Sequence, residues 1–132
     1  MTRRPKFNAR RVTIDGNTFA SKLEASCWVL ARDAAEGGDW LTVTRQERFQ
    51  LLPKQPKARG FEQPAHYTAD LTLYLRKDRS LKVIVDTKSE PTRKSIPYIL
   101  RRKMMLFFHK IEIVEISSVS AMADLLAKLK HA

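Results

Sequence analysis

Two neighbouring apolar runs between residues 66 and 88 constrain this chain most strongly, because each of them contains an aspartate. The runs read "HYTADLTLYL" and "LKVIVDTK", and the polar segment "KDRS" lies between them at 77–80. Alternating apolar and polar residues predict strands, and a tight polar turn between two strands predicts a β-hairpin. Aspartate is depleted in strands. Asp70 and Asp86 therefore need an explanation beyond secondary structure.

The rest of the chain predicts an α/β fold in a single domain, residues 1–132, with a basic N-terminal arm at 1–12. Ser21 and Glu24 form the S-x-x-E pattern of a helix start, and the pair Gly37 and Gly38 ends that helix. The predicted elements are a strand at 11–15, a helix at 22–36, a strand at 43–52, a loop at 53–65, strands at 66–76 and 81–88, a helix at 97–109, a strand at 111–116 and a helix from about 120.

The predicted hairpin brings charged side chains together at the end of a sheet. Alternation places the even-numbered residues 66–74 on one face and the odd-numbered residues 67–75 on the other. Asp86 and Lys88 are two residues apart, so both project to one face. Antiparallel pairing across the turn then brings Asp70 close to Asp86. Two carboxylates and one ammonium group meet there.

This combination of charges fits a divalent cation. Neighbouring carboxylates repel each other, and a cation removes that conflict. Mg²⁺ prefers carboxylate oxygens, keeps part of its water and binds phosphate. Lys88 would then orient or deprotonate water, or neutralise phosphate charge, and the peptide oxygen of Thr87 is a further candidate ligand. The alternative is that the aspartates flank a sheet edge and that Lys88 is an ordinary ion-pair partner.

Glu24 also has two interpretations. As the third helical residue after Ser21, it is the glutamate of a capping box and stabilises the helix by about 1 kcal/mol. It also lies one turn before Cys27 and Trp28, on the border of the apolar helix face. An inward-pointing carboxylate there could bind a metal or orient a ligand.

Charge indicates a polyanionic partner. The chain has 25 Lys and Arg against 14 Asp and Glu, a formal net charge of +11. Clustered basic residues favour nucleic acid, because phosphate contacts release counterions; the alternative is a basic, solvated surface. The candidate phosphate contacts are Arg3, Arg4, Arg10, Arg11, Arg93, Lys94, Arg101 and Arg102.

Other classes of protein fit the composition less well. No apolar run reaches the roughly 18 residues of a membrane span, and the basic N-terminus lacks the apolar segment of a secretory signal. The single cysteine, Cys27, cannot form an internal disulfide. We therefore expect a cytoplasmic protein that does not bind membranes.

Four segments resemble the PD-(D/E)XK nuclease superfamily, in particular small phage-encoded endonuclease-like proteins and junction resolvases of the phage endonuclease I type. They are "FASKLEA" at 19–25, "RFQLLPK" at 48–54, "YTADLTLY" at 67–74 and "VDTKS" at 85–89. The resemblance covers about residues 7–116. It implies a restriction-endonuclease-like core, in which helices flank a central mixed sheet, and a bacterial protein of phage or prophage origin.

The resemblance also implies an activity and a set of site residues. Glu24, Asp70 and Asp86 match the acidic positions of the superfamily, and Lys88 matches its lysine. Glu24, Asp70, Asp86 and the carbonyl oxygen of Thr87 would then hold Mg²⁺ or Mn²⁺ for phosphodiester hydrolysis. The proline that gives the motif its name is replaced by Ala69.

The leading hypothesis is a metal-dependent DNA endonuclease that cuts branched DNA as a homodimer. The final helix either contributes to the dimer interface or covers the sheet. The alternatives are a non-catalytic DNA-binding accessory protein and a nuclease subunit of a larger recombination or packaging complex. His66, Gln46 and Glu47 are weaker candidates, for which solvated surface positions are favoured.

Overall fold

A four-stranded mixed sheet forms the centre of the molecule. The computed structural model describes residues 11–75, 81–88 and 94–131. In chain order the elements are β1 (Val12–Ile14), β2 (Asn17–Phe19), α1 (Lys22–Glu36), β3 (Leu41–Leu52), β4 (Gln55–Pro56), β5 (Phe61–Glu62), β6 (Ala65–Leu75), β7 (Lys82–Thr87), α2 (Ile96–Met104), a π-helix (Met105–His109), β8 (Ile113–Ile116) and α3 (Val119–Lys130).

The order of strands in the central sheet is β3-β6-β7-β8. β6 runs antiparallel to both β3 and β7, and β8 runs parallel to β7. The crossover from β7 to β8 passes through α2 and the π-helix. The prediction of an α/β fold with a central mixed sheet flanked by helices is confirmed. The predicted turn at 77–80 lies outside the described residues.

Two short hairpins extend the predicted elements. β1 and β2 are joined by Asp15 and Gly16, which both have positive φ angles of 52° and 79°. Two consecutive positive φ angles are typical of the tightest hairpin turn. The segment 53–65, predicted to be a loop, contains the two-stranded hairpin of β4 and β5. Its prolines suggested a loop, but proline is tolerated in an edge strand.

Helix α1 begins as predicted, with one change in its cap. The Ser21 Oγ accepts a hydrogen bond from the Glu24 backbone N–H at 3.1 Å. The Glu24 carboxylate does not complete the predicted capping box, because it accepts from the backbone N–H of Ala20 at 2.9 Å. The Glu24 side chain therefore holds the backbone at Ala20, one residue before the N-cap Ser21.

The core consists of two apolar clusters. One joins Leu71, Leu73 and Leu75 of β6 to α1 and α3. The other contains Tyr67 and Ala69 together with Met105 of the π-helix. The odd-numbered residues 67–75 of β6 are all buried, and they divide between the two clusters at Asp70.

The final helix covers the core. Met122 and Leu126 of α3 are buried in the cluster that also contains residues of α1. Of the two roles expected for this helix, the structure places its apolar face against the rest of the fold. Among the helices that the structure describes, none is long and apolar enough to cross a membrane.

Candidate functional site

Asp86 is a buried carboxylate near the end of β7. Its side chain is only 1% exposed. The Tyr67 hydroxyl donates a hydrogen bond to Asp86 Oδ2 at 2.7 Å, and Lys88 Nζ lies 2.9 Å from Oδ1. Apart from this ion pair, Oδ1 has no hydrogen-bond partner among the described residues. This oxygen therefore retains the capacity to bind a cation.

Asp70 lies beside Asp86 across the β6–β7 pair. The last register pair is Leu71 with Val85, and both aspartates lie one residue beyond it. Asp70 Oδ2 accepts hydrogen bonds from the Thr87 backbone N–H at 2.8 Å and from the Thr87 Oγ1 at 2.9 Å. These hydrogen bonds hold the Asp70 carboxylate at the end of β7, where the predicted hairpin pairing placed it.

The electrostatics follow from this crowding. Burial and the neighbouring Asp70 charge raise the pKa of Asp86 to about 6, although Lys88 opposes the shift. Burial lowers the pKa of Lys88, but the charges of Asp86 and Asp70 outweigh burial and the net shift is upward. Lys88 is therefore a cation at neutral pH. Of its predicted roles, neutralising charge or orienting water fits better than deprotonating water.

Glu24 of α1 faces the same region. Its partner is Gln46, a residue for which the sequence favoured a solvated surface position. The Glu24 side chain is 4% exposed, and its Oε1 accepts a hydrogen bond from Gln46 Nε2 at 3.1 Å. Gln46 lies within β3 with a φ of 54°, between Arg45 and Glu47, whose register partners Leu71 and Ala69 flank Asp70. Left-handed backbone at a non-glycine residue costs about 1–3 kcal/mol and is most frequent at functional sites.

Two clefts meet at the acidic pair. The first, called the Glu24 cleft here, has a volume of about 470 Å³. The second, called the Lys88 cleft, has a volume of about 380 Å³. Asp70 lines the first cleft and Asp86 lines the second, so the two neighbouring carboxylates separate them. The Glu24 cleft is lined in addition by Arg11, Phe19, Arg45 and Gln46, and the Lys88 cleft by His66, Tyr67, Tyr98 and Arg101.

The candidate phosphate contacts are distributed unevenly. Arg11 and Arg101 line the Glu24 cleft and the Lys88 cleft, respectively. Arg102 forms an ion pair with Glu115 at 2.8 Å, so part of its charge is already balanced. Lys94 is exposed. The remaining candidates, Arg3, Arg4, Arg10 and Arg93, lie outside the described residues.

The donor atoms at the acidic pair fit a hard divalent cation. No three His, Cys, Asp or Glu side chains within the described ranges converge closely enough to form a metal site. Mg²⁺ usually binds through one or two carboxylates and completes its shell with water and phosphate. Asp86 Oδ1 and Asp70 supply such carboxylates. The Thr87 backbone N–H donates to Asp70, so Thr87 also lies at the acidic pair.

Some site residues were not expected from the sequence. Alternation placed Tyr67 on the face of β6 opposite to Asp70, yet its hydroxyl donates a hydrogen bond to Asp86. The ring of Tyr98 lies 5.7 Å from Lys88 Nζ, in cation–π range. Arg45 borders the Glu24 cleft with its guanidinium 3.9 Å from the Phe19 ring centroid. Their contacts join residues far apart in the chain, and local periodicity carries no signal for them.

Two other candidates have ordinary partners. His66 lines the Lys88 cleft, where its Nδ1 lies 3.0 Å from an Arg48 guanidinium nitrogen. Glu47 accepts hydrogen bonds from the Tyr74 hydroxyl at 2.6 and 2.7 Å and lines neither cleft. Burial raises the pKa of Cys27 to about 11, so its thiol is a poor nucleophile.

Comparison with known proteins places the chain in a family. No curated protein matches the chain, and no solved structure matches it. A family model described as "Protein of unknown function (DUF1064)" matches residues 4–122. The matched region contains the acidic pair and both clefts, and it covers most of the chain. The chain therefore belongs to the DUF1064 family.

Proposed function

We propose that this protein is a metal-dependent endodeoxyribonuclease of the PD-(D/E)XK type, which hydrolyses phosphodiester bonds in branched DNA. The observation that carries the proposal is the buried Asp86 beside Asp70, with Lys88 Nζ 2.9 Å from Asp86 Oδ1. This cluster lies between two clefts that basic residues border. An anionic substrate such as DNA fits a chain of net charge +11.

The proposed cofactor is Mg²⁺ or Mn²⁺, held by Asp70, Asp86 and the Thr87 carbonyl oxygen. When bound, the cation would supply positive charge to the scissile phosphate and lower the pKa of water. It would also remove the repulsion that raises the pKa of Asp86. Glu24 belongs to the outer wall of the site, because its two oxygens already accept from Ala20 and Gln46.

The protein's own residues have distinct roles in this proposal. Tyr67 orients the Asp86 carboxylate through its hydrogen bond. Lys88, a partly buried cation, stabilises the extra negative charge that develops on the phosphate during hydrolysis. Glu24 and Gln46 form part of the wall of the Glu24 cleft. Arg101 holds the DNA backbone at the edge of the Lys88 cleft.

The preference for branched DNA rests on the resemblance of the sequence to junction resolvases. Two cuts across a junction require two active sites, so the proposal includes a homodimer. The structure describes one chain, and α3, the helix first considered for the interface, has its apolar face buried within that chain. A dimer would therefore use another surface.

A cleavage assay tests the proposal. Four-way junction, linear duplex and single-stranded DNA are incubated with the protein in Mg²⁺, Mn²⁺ or EDTA. We expect metal-dependent cuts in the junction, their loss in Asp86→Asn and Lys88→Ala, and their retention in Asp124→Asn. The last variant is a matched control, because Asp124 is exposed on α3.

Three outcomes would contradict parts of the proposal. Cleavage by Asp86→Asn at the normal rate would remove the acidic pair from the site. Equal cleavage of junction and duplex would reject the branched substrate and leave a general nuclease. DNA binding without cleavage in either metal would favour the non-catalytic accessory protein.

A further inference from the structure

Among the described residues, α2 and the π-helix carry most of the exposed large apolar side chains. Ile96, Leu100, Leu106, Phe107 and Phe108 are each at least half exposed, and together they are called the Phe107 patch here. Single exposed apolar residues are common, whereas contiguous patches mark interaction sites. The patch follows from the helix geometry, because the π-helix buries Met105 and leaves the next three residues outside.

The charges around the patch favour a polyanion. Residues 94–110 contain lysine and arginine but no aspartate or glutamate. Arg101 and Lys103 are exposed on α2, and Lys110 Nζ lies 5.1 Å from the Phe107 ring centroid. Two copies of the protein meeting through this surface would bring like charges together. A nucleic acid would neutralise them.

The aromatic residues favour bases over a paired backbone. The rings of Phe107 and Phe108 pack edge to face, with centroids 5.0 Å apart. Exposed aromatic rings flanked by basic side chains are the usual platform for stacking bases of single strands. Bases in an intact duplex stack on one another and cannot offer their faces. The patch therefore fits DNA that is single-stranded or unstacked at a branch.

The position of the patch connects it with the proposed site. Pro97, Tyr98 and Arg101 of α2 line the Lys88 cleft, and Leu100 of the patch precedes Arg101 in the same helix. We propose that the Phe107 patch binds unstacked bases of a DNA strand whose backbone passes the Lys88 cleft. This inference rests on the proposed function and adds a physical basis for selecting branched DNA.

The test measures binding in EDTA, so that it does not depend on hydrolysis. Fluorescence anisotropy is recorded with labelled single-stranded DNA of about 20 nucleotides, longer than the ~4–16 nucleotides typical of single-strand sites, and with the corresponding duplex. We expect Phe107→Ala/Phe108→Ala to bind the single strand about 5- to 150-fold more weakly, the range for one lost stacked base. Duplex affinity should change less than about twofold, because no phosphate contact is removed.

Phe61→Ala is the matched control. Phe61 in β5 is 55% exposed, and Lys54 Nζ lies 4.5 Å from its ring centroid, so it reproduces a lysine beside an exposed phenylalanine. We expect this variant to bind single-stranded DNA as the unchanged protein does. A second variant, Phe107→Leu/Phe108→Leu, keeps the apolar surface and the fold but removes the rings. Stacking predicts that it loses affinity for the single strand.

Sedimentation velocity of the same variants decides between DNA and a second copy of the chain. If both double variants bind single-stranded DNA normally, the inference is wrong. If the unchanged protein is a dimer and the alanine variant is a monomer, the patch is an interface between two copies of the chain instead of a DNA-binding surface. Lost single-strand affinity in a protein that never cleaves DNA would support the inference while rejecting the proposed activity. If the double variants cleave junctions and bind single-stranded DNA normally, the proposed activity is supported and the inference is rejected.

Discussion

Replacing Asp86 by asparagine should change how the stability of the protein depends on pH. The pKa of this buried carboxyl is raised from an ordinary 3.8 to about 6. Because the pKa of this acid is higher in the folded protein than in the unfolded chain, the protonated carboxyl stabilises the folded state relative to the ionised one. Its stabilisation is fully present below about pH 4 and is lost as pH rises through about 6.

The magnitude follows from the two pKa values. Their difference corresponds to about 3 kcal/mol, since each pKa unit is worth about 1.4 kcal/mol. For a domain of this size, that energy is worth roughly 6–15 °C in Tm. Between pH 4 and 7 the unchanged protein should therefore lose more stability than Asp86→Asn by about this amount.

Thermal unfolding followed by circular dichroism measures the effect. Melting curves are recorded from pH 4 to 7.5 for the unchanged protein, Asp86→Asn and the surface control Asp124→Asn. Other carboxyl groups titrate in all three proteins, so the quantity of interest is the difference in slope between variants. The control should retain the slope of the unchanged protein.

Divalent cations give the second half of the same test. With a Kd of about 1 mM, 10 mM Mg²⁺ would stabilise the folded state by about 1.4 kcal/mol. The gain should be larger at pH 7.5 than at pH 5, because protons compete for the carboxylates. It should vanish in Asp86→Asn. If Tm depends on pH identically in Asp86→Asn and the unchanged protein, the raised pKa of the buried Asp86 is refuted. If Mg²⁺ stabilises both proteins equally, the cation site is refuted.

Three further perturbations separate site from scaffold. Glu24→Gln should leave Tm within about 3 °C, since the glutamine oxygen can still accept the hydrogen bond from Ala20, but should lower cleavage at least tenfold; unchanged cleavage would leave Glu24 only a structural role at the start of α1. Gln46→Gly should retain Tm, because glycine relieves the left-handed backbone strain as the Glu24 contact is lost, and should also lower cleavage; normal cleavage would assign the strain to folding alone. Arg101→Gln should make the slope of log K against log[salt] for duplex shallower by about 0.9. Arg102→Gln should instead mainly lower Tm, because it removes the ion pair between Arg102 and Glu115; the reverse pattern would exchange their roles.

The sequence alone determined the secondary structure around the site. Alternation in β6 and β7, with a polar turn between them, predicted that Asp70, Asp86 and Lys88 would meet, and the structure brings them together. The start of α1 was equally readable, since Ser21 caps Glu24 within four residues. Such features are local, so their physical causes, side-chain alternation and cap hydrogen bonds, act between residues close in the chain.

Tertiary structure decided which distant residues complete the site. Gln46 reaches Glu24 across 22 positions, and Tyr67 reaches Asp86 across 19. The pairing of Arg102 with Glu115 and the exposure of Phe107 likewise depend on how α2 packs against the sheet. Periodicity specifies which side of an element is apolar, but the register between strands and the packing of helices set these contacts. The left-handed backbone of Gln46 shows the limit most clearly, because no local preference of glutamine favours it.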